Sequence, residues 1–214
     1  MSAPHAAIVL AAGGSRRLGR PKQLLLRDGE TLVHRAVRLA RQTRPSRVIA
    51  VLGSHAEAIA AAFADLEAEA RINPRWAEGR SSSLQCAADA LRGHAGPVLI
   101  LGCDQPALDV AHLQALLSGA ANAVTGCAAT VHGPNLGLPA VVTPAVLHSA
   151  RPLEGDQGFG RCLSALPGDT VWRLAASELE FDIDTPENEQ AAIARGLLDA
   201  PSAGDETVMQ HAAP

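Results

Sequence analysis

The chain has 214 residues, enough for one large domain whose core buries most of its apolar surface. Apolar residues make up 47% of it and aromatic residues only 2%, so the core must come from Ala, Val, Leu and Ile, as in sheets covered by helices, and stacking platforms for nucleic acid are nearly absent. A formal net charge of −4 gives no general attraction for polyphosphate backbones or acidic membranes, so any phosphate site has to be a local cluster of donors and the partner is expected to be small.

Short aliphatic runs alternate with longer segments of helical period, the pattern of an α/β fold with a mostly parallel sheet and crossover helices on both faces. The first run, Ala6 to Ala11, reads as a strand; it lacks a preceding basic region and breaks at Gly13, too early for a signal peptide or a bilayer span, so a cytoplasmic location is expected. Thr31 can cap a helix in which Val33, Ala36, Val37 and Ala40 share one face, ending near Thr43 before Pro45. Arg47 to Leu52 is a second strand and Glu57 to Ala70 a second helix. A third helix follows Ser82, whose spacing to Gln85 is that of a capping box, with Leu84, Ala88 and Leu91 as its buried stripe. Pro97 to Leu101 is a third strand. Beyond Asn122 the order is less regular, with strands expected over Ala123 to Val131 and Ala140 to Val142. A strand over Phe181 to Ile183 then leads to a helix capped by Thr185 with Pro186 at its first position. One domain is expected over 1–200, followed by a solvated tail over 201–214. Cys86, Cys103, Cys127 and Cys162 are scattered without zinc spacing and read as structural thiols of a reducing compartment.

The segment leaving the first strand, Leu10-Ala11-Ala12-Gly13-Gly14-Ser15-Arg16-Arg17-Leu18-Gly19-Arg20-Pro21-Lys22, joins small residues to four cations. Gly13 and Gly14 let the backbone approach a ligand with its amides, and Arg16 and Lys22 add charges suited to phosphate oxygens. Two other phosphate loops fail on spacing. Gly14 and Gly19 fit GxxxxG, but Arg20-Pro21 stands where a P-loop needs Lys-Ser/Thr, and a dinucleotide GxGxxG would need glycine at Ala12 or Arg17. The residues alone leave open a basic surface loop whose glycines only make the turn.

Asp104 directly follows the strand ending at Leu101, and open α/β sheets place ligands at the carboxyl ends of their strands. A carboxylate there suits Mg²⁺, which takes one or two such ligands and fills the rest with phosphate oxygens and water. Asp182 and Asp184 offer a second metal carboxylate, and one of the two, rather than both, is expected to face the site with Asp104. Asp184 has the alternative of helping to cap the last helix, and Ser82 that of capping alone. No histidine falls in a recognisable metal or nucleophile motif, and none receives a catalytic role.

These motifs together resemble the MobA/MocA-like NTP transferase family, which attaches CMP or GMP to the molybdenum cofactor and is itself similar to sugar-nucleotide and isoprenoid cytidylyltransferases. The loop resembles its LAAGxSxRxGxxK signature. Asn73-Pro74 with Gly79-Arg80-Ser81-Ser82-Ser83-Leu84 resembles NP…GMSSSL, with Arg80 in place of methionine. Gly102-Cys103-Asp104-Gln105-Pro106 looks like DQP, Gly155-Asp156-Gln157-Gly158 like GDxG, and Asp182-Ile183-Asp184-Thr185-Pro186-Glu187 like DIDTPED. The matches run in order over residues 8–190. The resemblance implies a single-domain, Rossmann-like three-layer α/β/α fold and transfer of CMP from CTP to the molybdenum cofactor, with Mg²⁺ as the metal and a molybdoenzyme as the receiver of the product. It implies Arg16, Lys22 and Asp104 as catalytic residues, and Leu10, Ala11, Ala12, Gly13, Gly14, Ser15, Arg16, Lys22, Gly79, Ser81 and Ser82 as nucleotide contacts. Asp182 is favoured over Asp184 beside Asp104, and Gln105, Pro139 and Asp156 fall on the acceptor side. Ala11-Ala12-Gly13 matches the AAG of cytidylyl-transferring relatives rather than the AGG of guanylyl-transferring ones. Two departures lie on the acceptor side: Leu138 replaces the histidine of a GHP turn, and Phe159-Gly160 replaces alanine before Arg161. The competing readings are a nucleotidyltransferase for a sugar, isoprenoid or phospholactate-type phosphate, a non-catalytic accessory protein that carries molybdenum cofactor, and a phosphate-binding regulatory module.

Overall fold

The computed structural model describes residues 4–151, 153–155, 157–167 and 170–201. In chain order the strands are β1 (Ala6–Ala11), β2 (Leu26–Arg27), β3 (Glu30–Thr31), β4 (Val48–Leu52), β5 (Glu69–Ile72), β6 (Val98–Gly102), β7 (Ala128–His132), β8 (Asn135–Val142) and β9 (Trp172–Leu174). The α-helices are α1 (Leu32–Gln42), α2 (Ala56–Ala61), α3 (Arg80–Ala90), α4 (Val110–Asn122), α5 (Pro144–His148), α6 (Gly160–Ser164) and α7 (Pro186–Ala194).

Seven strands form one sheet in the order β5-β4-β1-β6-β8-β7-β9, parallel except where β8 pairs with β6 and β7. β1, β4 and β6 are continuous aliphatic runs because both of their faces are covered. Ala7, Val9, Ala50, Leu52, Leu99 and Leu101 face α1 and α4, while Ile8, Ile49, Val51, Val98 and Ile100 face α3, α5 and α6. This is the expected three-layer α/β/α arrangement. The chain winds from β1 outward to β4 and β5 and then returns to the other side of β1 as β6, so a crevice opens at the carboxyl ends of β1 and β6. A third, smaller cluster of Leu18, Leu25, Leu32, Ile183, Ala192 and Leu198 ties the segment after the glycine-rich loop to α7.

Ala6–Ala11 and α1 form as read, with Thr31 Oγ1 accepting the His34 N–H at 3.3 Å and Val33, Ala36, Val37 and Ala40 buried. Thr185 likewise caps α7 over Pro186. Other expectations change. The helix expected over Glu57 to Ala70 stops at Ala61, and Glu69–Ile72 instead pairs in parallel with β4, from Ile49↔Glu69 to Leu52↔Ile72. An alanine-rich stretch favours helix locally, but the open edge of β4 supplies hydrogen-bond partners and leaves the polar side chains in water. The strand expected from Ala123 starts only at Ala128, because α4, capped by Asp109 and His112, occupies the chain up to Asn122. The strand expected at Ala140 begins earlier, at Asn135, as the second arm of a hairpin with β7.

The Ser82 capping box does not form. α3 begins at Arg80, its cap is Gly79 at φ 112°, a conformation that favours glycine, and Ser82 lies inside the first turn, donating to the carbonyls of Arg75 and Gly79. Gln85 turns away to the carbonyls of Arg151 and Leu153. Phe181 to Ile183 is not a strand: it is held through a 3.0 Å hydrogen bond from the Ile183 N–H to the Asp104 carbonyl. The four cysteines are free, three of them buried and Cys86 half-buried. Among the described residues no helix is long and apolar enough to cross a membrane. The tail expected over 201–214 lies, apart from Pro201, outside the described residues.

Candidate active site

The glycine-rich loop leaves β1 and is stapled from beneath by a residue the sequence did not single out. Gln23 is almost fully buried, and its amide donates to the carbonyls of Ala11 at 3.0 Å and Gly13 at 2.7 Å. Ser15 adds a second staple, its hydroxyl accepting the Lys22 N–H at 3.1 Å. With its carbonyls tied down, the loop keeps its donors available: among the described residues the N–H groups of Gly13, Gly14, Ser15, Arg16 and Arg17 donate to no backbone acceptor. Trp76 packs on the loop's outer side, and the lack of side chains at Gly14 and Gly53 makes room for it; a Cβ on Gly53 would lie 2.5 Å from both the Ala12 carbonyl oxygen and Trp76 Cβ.

The four cations after the glycines are sorted by the fold. Arg16 lies over the Trp76 ring, 5.9 Å from its centroid, and is not among the residues lining the cleft. Arg17 does line it, pairing with Asp184 at 2.7 Å. Arg20 pairs with the buried Glu189 of α7 and is a structural contact. Lys22 Nζ bridges Asp104 Oδ2 at 2.8 Å and Asp184 Oδ1 at 2.7 Å. Burial opposes the lysine charge, but these two carboxylates outweigh it and hold the ammonium above its ordinary range.

Asp104, Asp182 and Asp184 all line the same cleft, which corrects the expectation that only one of the last two would. Alternate residues of an extended segment fall on one side, and Ile183 between them is fully buried in the cluster that ties the loop to α7. Their environments differ. Asp182 is pushed up to about 7 by burial and by the neighbouring Asp104 charge. Burial also acts on Asp184, but Lys22 and Arg17 outweigh it and hold that carboxyl below its ordinary value. Asp182 and Asp104 are therefore two hard oxygen donors that repel each other without a cation between them, a set that fits Mg²⁺ as a partner shared with phosphate oxygens. No three His, Cys, Asp or Glu side chains among the described residues form a metal cage of their own.

The cleft measures about 580 Å³. Leu10, Ala12, Gly13 and Lys22 line its loop side, and Arg80 and Ser83 project into it from the start of α3. Ser81 and Ser82 are buried behind that helix turn, and Ser81 gives its N–H to the Gly155 carbonyl at 3.1 Å. Gly14, Ser15 and Gly79 flank the cleft without lining it, as does Ala11. On the opposite side Gln105, Leu136, Leu138 and Phe159 form the wall. Pro139 lies behind that wall, its carbonyl taken by Thr130, and Asp156 lies outside the described residues. His132, at the end of β7, also lines the cleft. No motif marks it; the only sequence signal is its place beside the Gly133-Pro134 turn, which brings it back over β8.

A family model described as the MobA-like NTP transferase domain matches residues 7–171. The bifunctional protein GlmU of Anaeromyxobacter sp. (strain K) is 38% identical over 120 residues, covering 54% of this chain and 25% of that protein, so the chain spans about a quarter of the length of that relative. The nicotine blue oxidoreductase of Paenarthrobacter nicotinovorans is 33% identical over 180 residues, 83% of each chain. Among solved structures, a homologue of Mycobacterium tuberculosis Rv0371c from Mycobacterium sp. strain JC1 superposes with a TM-score of 0.76 at 26% identity, covering 92% of this chain and 98% of that one. The manganese complex of Rv0371c from M. tuberculosis H37Rv gives 0.73 at 24%, covering 92% and 100%. The family match takes in the glycine-rich loop, Lys22, Arg80 and Asp104, and the same sheet carries all of them to one cleft: the chain belongs to the MobA-like NTP transferase family, a family of nucleotidyltransferases.

Proposed function

We propose that this chain transfers CMP from CTP to the terminal phosphate of the molybdenum cofactor, with Mg²⁺, and releases pyrophosphate. The observation that carries the reading is the Lys22 ammonium held between Asp104 and Asp184 beneath a loop of unpaired amides, with Asp182 beside them. A phosphate monoester is already ionised near neutral pH, so it needs no strong base; the obstacle is repulsion between anions. One acceptor oxygen forms a bond to the α-phosphorus as the bond to the bridging oxygen breaks, and the electron pair leaves with pyrophosphate. Lys22 donates to the phosphate oxygens on which charge gathers, the loop amides hold the triphosphate in line, and Arg17 and Arg80 lower the repulsion at the cleft mouth. Arg16 lies over Trp76, and its role as a triphosphate contact requires it to leave that ring. Mg²⁺ held by Asp104 and Asp182 would supply charge neutralisation across the phosphates.

Ala12 lines the cleft; with the base entering beside it, its methyl group would narrow that space in favour of a pyrimidine. Shape of this kind discriminates by about 1–3 kcal/mol per group, so leakage to GTP is expected. The test is pyrophosphate release from CTP, GTP and ATP at equal subsaturating concentration, with molybdenum cofactor, glucosamine 1-phosphate and an isoprenoid phosphate as acceptors. A GTP rate at or above the CTP rate refutes the nucleotide assignment, and release with a sugar or isoprenoid phosphate alone refutes the acceptor. The name of the full-length relative favours a second reading, an oxidoreductase. It requires that no NTP yield pyrophosphate with any acceptor; the ammonium bridged by two carboxylates, which suits phosphate transfer rather than electron transfer, argues against it.

A further inference from the structure

Asp104 sits on backbone that no ladder holds. Residues 103–109, between β6 and α4, contain neither helix nor strand, yet four of their carbonyls are fixed by specific donors. The Asp104 carbonyl accepts the Ile183 N–H at 3.0 Å, and that of Gln105 accepts the Leu108 N–H at 3.1 Å. Two arginines from a distant part of the chain take the others: Arg27 Nη1 donates to the Pro106 carbonyl, and Arg35 Nη2 to the Leu108 carbonyl at 3.0 Å. Each arginine leaves its Nε buried and without a hydrogen bond among the described residues, even though Asp28 Oδ2 lies 3.4 Å from that of Arg27. A buried donor left unpaired is unfavourable, so the contacts with the loop have to offset it.

A small element of their own aims these arginines. β2 and β3 pair antiparallel with Arg27 opposite Glu30, in a sheet separate from the main one. Asp28 and Gly29 turn the hairpin at φ 55° and 75°, and the Asp199 carboxylate accepts their N–H groups at 2.9 and 2.7 Å. Glu30 takes both donors of Arg38, at 2.7 and 2.6 Å, and stands 4.0 Å from Arg35 Nη1, so the hairpin is tied to α1 on the side from which Arg35 reaches the loop. Neither Arg27 nor Arg35 lines the cleft. We propose that both are positioning residues for Asp104: they hold the loop so that its carboxylate stays set, with Asp182, for a divalent cation. The inference rests on the reading of Asp104 and Asp182 as the ligands of that cation. It gives the hairpin, which contributes nothing to the main sheet, a part in the site.

The test is direct binding of Mn²⁺ to the full chain without nucleotide, followed through the EPR signal of the free ion, so that it is independent of the transfer reaction. Arg27→Met and Arg35→Met are each expected to weaken Mn²⁺ binding by about tenfold, the lower end of what the loss of an outer-shell partner costs. The sign separates positioning from simple electrostatics, because removing a positive charge near a cation site would by itself tighten binding. Asp104→Asn gives the reference for loss of the ligand itself. Arg47→Met also withdraws a guanidinium from a backbone carbonyl, that of Ala90 at 3.2 Å, but at the amino end of β4; it controls for general destabilisation and should bind as the wild type does. Should Arg35→Met fail to fold, Arg27→Met and the milder Arg35→Lys, which keeps the charge without the two-donor fork, decide by the same sign. Mn²⁺ binding that is unchanged or tighter in the loop variants, equally weakened in Arg47→Met, unaffected in Asp104→Asn or absent in the wild type overturns the inference. The expected losses without pyrophosphate release from any NTP would instead overturn the transfer reading and leave this one standing.

Discussion

Replacing Lys22 by methionine keeps the aliphatic stem and removes the ammonium. The Lys22 side chain is 13% exposed, and its partners Asp104 and Asp184 are 31% and 37% exposed. Removing one member of a fully buried pair costs about 3–5 kcal/mol, whereas an exposed pair is worth about 0–1 kcal/mol. With carboxylates that keep a third of their surface in water, the expected loss is about 1–3 kcal/mol. For a chain of this size that lowers Tm by about 2–12 °C. The loss should be partly reversible in a specific way. Without the ammonium, Asp104, Asp182 and Asp184 face one another across one cleft, and a divalent cation can take its place. Mg²⁺ at ten times its Kd would return about 1.4 kcal/mol. Thermal unfolding in EDTA and across a Mg²⁺ titration reads both effects, with wild type as reference, and turnover should be lost at every Mg²⁺ concentration. A Lys22→Met protein as stable as wild type in EDTA, or one whose midpoint ignores Mg²⁺, would refute the argument that the lysine neutralises these carboxylates.

Asp104→Asn should keep the fold and cut turnover by orders of magnitude; near-normal turnover at limiting Mg²⁺ would remove Asp104 from the metal site. Gly53→Ala places a methyl 2.5 Å from the Ala12 carbonyl oxygen and from Trp76 Cβ, and should cost about 1–3 kcal/mol in urea unfolding together with a fall in kcat/KM as the loop shifts. Gly13→Ala meets nothing within 4 Å and serves as the stability control; equal midpoints for the two variants would contradict the packing argument. Glu30 is held below its usual 4.5 by the Arg38 guanidinium, against burial, with help from His34. Its contribution is therefore fully present above pH 4.5 and lost as pH falls towards the depressed value, so the stability gap between wild type and Glu30→Gln should close in acid. His34 is burdened by burial, yet Glu30 and Asp65 raise it above its usual 6.5. The gap to His34→Ala should be full below pH 6.5 and close as pH rises through the raised value; gaps that stay constant with pH would refute both assignments.

Local signals carried far in this chain. The aliphatic runs of β1, β4 and β6 declare themselves because strands covered on both faces need no alternation, and Thr31 and Thr185 mark their helices by the bonds that their own hydroxyls accept. Elements set by partners distant in sequence did not. Glu69–Ile72 became a strand because β4 had an open edge, and the first turn of α3 was set by Gly79 and the carbonyl of Arg75 rather than by a box between Ser82 and Gln85.

The same division runs through the candidate active site. Sequence by itself determined its ingredients: a glycine-rich loop after the first strand, Lys22, Asp104 and the pair Asp182 and Asp184. Their identities follow from phosphate and metal chemistry, which is a property of residue type and strand end. Only tertiary structure decided their duties. Arg16 and Arg17 are adjacent in the chain, yet one lies on Trp76 and the other on Asp184. Gln23 and His132 carry no motif, and the DQP match that includes Gln105 leaves its partners unstated, because a carboxamide or an imidazole becomes informative only when the carbonyls of Ala11, Gly13, Leu138 and Leu179 come to it. Those carbonyls belong to backbone that any sequence has, and the fold alone determines which of them a buried side chain meets.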